Sequence, residues 1–85
     1  MTLKIESVPS ERGTTLRLIG RLQLENLDEL KSLMKEYSTP LLLDLEDVTL
    51  VDASVVRYLG ALEAEGIQLV RCAPYIREWI KRETR

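Results

Sequence analysis

Four carboxylates and a serine stand close together in mid-chain: Asp44, Glu46, Asp47, Asp52 and Ser54. Side chains of these types allow three kinds of chemistry. Hard cations take carboxylate oxygens, so the four acids could frame a magnesium site. A serine hydroxyl can act as a nucleophile when a base lies beside it. The same hydroxyl in the first turn of a helix is a candidate phosphate acceptor. Backbone N–H groups lack intrahelical partners there and the helix dipole is positive.

The first two readings are weak. Magnesium rarely relies on an all-protein cage, and a solvated acidic loop with a helix cap accounts for the same acids. Neither a metal nor a cofactor is therefore expected. The chain contains no histidine, which excludes a Ser-His-Asp triad and any histidine metal ligand. No lysine is near Ser54 in sequence, and no Gly-rich oxyanion loop is visible. The expectation is a protein that is not an enzyme. A small α/β enzyme would need a concave pocket holding a lysine or carboxylate beside Ser54. The plain reading of Ser54 itself is a polar first-turn residue.

These residues need a strand and a helix to hold them. Leu41 to Leu45 is a largely apolar run after Pro40, the pattern of a strand buried on both faces. Asp52 reads as the cap of a helix carrying Val55, Val56, Leu59 and Leu62 inward, so strand, surface loop and helix follow in order. Ligands in open α/β sheets bind beyond the carboxyl ends of such strands. Gly66 falls where a left-handed residue ends that helix.

The remaining chain supplies the framework. Leu3 to Val8 mostly alternates apolar and polar, Pro9, Ser10 and Gly13 offer a turn, and Thr14 to Ile19 reads as a second strand. Together they predict an antiparallel hairpin. Asn26 with Glu29 reads as a capping box before a helix with Leu27, Leu30, Leu33, Met34 and Tyr37 on one stripe. Ser38, Thr39 and Pro40 stop it. Ile67 to Arg71 predicts a fourth strand, and Pro74 opens a last helix with Tyr75, Ile76, Trp79 and Ile80 inward. The order ββαβαβα makes a small mixed α/β fold. Its four-stranded sheet starts with an antiparallel hairpin and continues with parallel strands.

With 85 residues, 45% hydrophobic and 31% charged, residues 1–85 are read as a single domain. A chain this small buries about two-thirds of its unfolded surface. The net charge of −2 carries no global basic footprint for nucleic acid. Arg71, Arg77, Lys81, Arg82 and Arg85 cluster late in the chain and read as a solvated helix face. The lone Cys72 cannot form an internal disulfide and fits a reducing compartment. No signal peptide or membrane span is visible, so a cytoplasmic location is expected.

Three stretches carry a family likeness. They are Leu16 to Leu22 with the Asn26-started helix after it, Leu42 to Leu45 running on through Val48 to Asp52, and Asp52-Ala53-Ser54 at a helix head. In this order they resemble the STAS family, the domain shared by sulfate transporters and bacterial anti-sigma factor antagonists. The likeness implies a partner-switching module in the regulation of transcription. Its partner would be an anti-sigma factor with serine kinase activity, and phosphorylation would fall on Ser54 and release it. The contact set implied is Asp47, Asp52, Ser54, Val55, Arg57 and Tyr58. Three departures stand out. Val55 replaces a frequent glycine and narrows the space a kinase needs, Gln23 replaces a common acid, and the domain is shortened at its C-terminus. Val55 and the shortened C-terminus carry the alternative of a STAS-like structural or dimerisation module without a phosphoswitch. A second copy would then pair with the edge of the last strand.

Overall fold

The structure is a computed structural model and describes residues 3–11, 13–37 and 41–83. The predicted helix stop at 38–40 and Arg85 lie outside the described residues. Strand β1 (Lys4–Ser10) pairs antiparallel with β2 (Gly13–Leu22), from Lys4 opposite Ile19 to Ser10 opposite Gly13. The hairpin is tighter than the sequence suggested. Pro9 and Ser10, expected to turn, are paired strand residues, and the reversal lies between Ser10 and Gly13. Proline is tolerated there because β1 is an edge strand.

A 3₁₀ turn (Leu24–Asn26) follows β2 and leads into α1 (Leu27–Met34). Asn26 holds the expected N-cap position of α1, but its backbone is already helical, at φ −91° and ψ −11°, and its side chain makes no cap hydrogen bond to that helix. Its side-chain oxygen instead accepts from the Gln23 N–H at 2.9 Å. The 3₁₀ turn is entered at Gln23, so the reciprocal role passes from Glu29 to Asn26 itself.

Strand β3 (Leu41–Asp44) runs parallel to β2, as a helical crossover requires. The next stretch differs from expectation. Val48–Val51, read as part of a surface loop, forms strand β4, parallel to the end of β2. The sheet therefore has five strands among the described residues, not four. The reason lies in β2, which continues to Leu22 and leaves open backbone groups beyond the end of β3. The Gly20 N–H donates to the Asp47 carbonyl at 3.0 Å, and Val48, Leu50 and Val51 then pair with Gly20, Arg21 and Leu22. A β-rich Val-Thr-Leu-Val run suits this role.

Helix α2 (Ala53–Ala64) returns the chain to β5 (Gln68–Val70), which pairs parallel with β3 at the sheet edge. The turn between them is a Schellman motif. Gly66 at φ +102° donates to the Glu63 carbonyl, and Ile67 donates to that of Leu62 at 3.1 Å. Helix α3 (Pro74–Glu83) closes the described fold. Leu16, Leu18, Leu22, Leu43 and Leu69 line the sheet's inner face. Leu27, Leu30, Val55, Val56, Leu59, Leu62, Ile76 and Ile80 cover it from the helices. Of the expected α3 stripe, Trp79 is only half-buried and Tyr75 is exposed, because Ile76 and Ile80 alone face straight into the core.

Candidate functional site

The site begins with the backbone of Asp52, whose extended geometry (φ −118°, ψ 175°) ends β4 and opens α2. Its Oδ1 accepts from the Val55 N–H at 2.9 Å, the expected N-cap. Its Oδ2 accepts from the Leu24 N–H, also at 2.9 Å. One carboxylate thus ties the helix start to the turn after β2, two segments far apart in sequence. Spacing along the chain gives no hint of the second bond.

The clamp sets the surface around it. Leu24 is 60% exposed and Leu50 43%, both large apolar side chains left in solvent. Neither was expected at the site. In a regular strand Leu50 would face inward with Val48. A register shift between Gly20 and Arg21 leaves Thr49 as the extra residue and turns Leu50 outward beside Arg21. Ser54 sits in the first turn of α2, half-buried, with no side-chain hydrogen bond among the described residues. Arg57 is exposed at the i+3 position from Ser54 and reaches Glu83 of α3 at 3.4 Å.

The other expected contacts separate. Val55 is fully buried in the core, so it neither meets a partner nor crowds the face of Ser54. Helical geometry sends adjacent residues to different faces, which is why Val55 turns inward while Ser54 does not. Tyr58 leans toward α1, with the Lys31 Nζ 5.0 Å from its ring centre and its hydroxyl 4.0 Å from the Met34 sulfur. Burial first, then Glu65, raises its phenol pKa.

The acidic loop is divided among different partners. The Asp47 carboxylate pairs with Arg17, which also reaches Glu6 at 3.3 Å. Asp44, only 3% exposed, pairs with Arg71 and accepts from the Glu46 N–H at 3.0 Å. Arg71 adopts a positive φ of 53° and extends a second contact to Glu46 at 3.0 Å. Burial pushes the Asp44 carboxyl up. Arg71, the Glu46 N–H and Arg17 outweigh it and hold the carboxyl below its ordinary value. Among the described residues, no three potential ligand side chains converge as a metal site would need.

No protein-family model matches the chain, and no curated protein matches it. The class defined by the geometry is a small mixed α/β domain with three α-helices and a five-stranded sheet among the described residues. No helix among them is long and apolar enough to cross a membrane.

Proposed function

We propose that the chain is a STAS-like regulatory domain of the anti-sigma factor antagonist kind. It binds a kinase-like regulatory protein through the surface formed by Leu24, Leu50, Asp52, Ser54 and Arg57, and phosphorylation of Ser54 releases that partner. The observation that carries this reading is the Asp52 clamp, two residues after exposed Leu50, which ties the helix turn bearing the Ser54 hydroxyl to the turn bearing exposed Leu24. Exposed leucines supply the apolar contact that a partner surface would cover. A phosphate on Ser54 would add a charge of about −1.5 to −2 to the proposed surface, within reach of Arg57. Burying that charge against a tight interface is costly, which is the release step. Asp52 has both oxygens committed to backbone donors, so it is poorly placed to serve Ser54 as a base. That supports a binding role over a catalytic one.

The test is capture from lysate with wild type, Ser54→Ala and Ser54→Asp in parallel, and mass spectrometry of recovered Ser54. A kinase-like partner held by wild type and Ser54→Ala but lost by Ser54→Asp is the expected result. Equal capture by all three removes the phosphoswitch. A second reading draws on β5, which pairs with β3 at the sheet edge. A second copy could add a strand there. A mass in solution that rises with concentration and ignores Ser54 substitutions would favour that reading.

A further inference from the structure

Between α1 and the end of α2 lies a cleft of about 340 Å³. Met34, Tyr58 and Leu62 supply its apolar wall, and Lys31, Lys35 and Glu65 stand at its rim. The lysines are the unusual feature. The chain has four, and Lys4 and Lys81 each pair with a glutamate. Lys31 and Lys35 make no ion pair among the described residues, although the protein carries net negative charge. They are one helical turn apart and both border the cleft. Lys31 already lies over the Tyr58 ring at 5.0 Å.

From this juxtaposition we infer that the cleft binds a medium-chain carboxylate. The hydrocarbon tail lies against Met34, Tyr58 and Leu62, and the carboxylate sits between Lys31 and Lys35. Size supports the choice. A cleft of about 340 Å³ has room for a short hydrocarbon tail with its headgroup at the rim. The volume is at the lower end of known small-molecule pockets, and an apolar lining with a few polar groups is their usual character. Two cations against one carboxylate give the rim a positive balance. Glu65 opposes the ligand's charge, which supplies an internal control. The site is separate from the Ser54 surface and does not depend on the partner reading.

Sodium octanoate and 1-octanol serve as charged and neutral probes, titrated into the ¹⁵N-labelled full chain and followed by amide shifts. Saturable octanoate shifts at Met34, Tyr58 and Leu62 are expected, with a dissociation constant on the order of millimolar. At low salt, Lys35→Glu should weaken octanoate about threefold and Glu65→Gln tighten it about twofold, the scale of exposed ion pairs. Octanol affinity should be the same in all three proteins. Both substitutions are at exposed positions, and unchanged shifts elsewhere confirm their fold. Several results overturn the assignment: no saturable shift, shifts spread over the surface, or equal effects of the variants on both probes. Cleft shifts that follow protein concentration alone overturn it as well, because the occupant is then a second copy.

Discussion

Replacing Asp52 offers the sharpest test of how the site is built. Its two oxygens serve two N–H groups, those of Val55 and Leu24, each at 2.9 Å. Removing an N-cap costs about 1 kcal/mol. The second bond is at an exposed position, where solvent screens the carboxylate, so its loss adds about 0.5–1 kcal/mol, the low end for an ordinary hydrogen bond. Asp52→Ala should therefore lower unfolding free energy by about 1.5–2 kcal/mol. Asp52→Asn has one acceptor oxygen and keeps only the cap, so about 0.5–1 kcal/mol is expected. Urea denaturation of the three proteins at neutral pH gives these values, provided the m-values agree. In parallel, the Leu24 amide resonance should move in both variants, while the Val55 amide should move far more in the alanine variant. The reasoning fails if the two substitutions cost the same, or if the Leu24 amide is unchanged in both. Either result would mean that the bridge between the turn and the helix contributes nothing.

Two further outcomes follow from the same geometry. Asp44 is held below its ordinary pKa in the folded chain, so it adds stability above its unfolded pKa and loses it as pH falls through the folded value. Arg71→Leu should thus be most harmful near neutral pH, with the deficit shrinking as pH drops below ~4. Urea curves at both pH values decide this, and an equal deficit at each would contradict it. Gly66 has φ +102° and open space where a Cβ would project. Gly66→Ala should cost ~1–2 kcal/mol from backbone strain alone, and a melting temperature equal to wild type would exclude that account.

Much of the fold was legible in the sequence because it rests on local rules. The hairpin, the parallel crossovers, the Asp52 cap and the left-handed Gly66 each depend on a few neighbouring residues. Errors arose where a segment answered to a distant one. Val48–Val51 reads as loop because its partner, the far end of β2, is more than twenty residues away. Asn26 departs for a local reason instead: the chain enters its turn earlier, at Gln23, and the Asn26 side chain folds back onto that N–H.

The candidate site divides along the same line. That Asp52 opens a helix and that Ser54 lies in its first turn follow from local residues, since capping and helical spacing are short-range properties. What surrounds them depends on how the folded chain packs. Packing turned Tyr58 toward α1 and split the acids between Arg17 and Arg71. It also turned Leu50 outward through a register shift, and joined Leu24 to Asp52. A carboxylate has two oxygens, and nothing in its local sequence says which distant N–H the second will meet until the sheet brings the strands together.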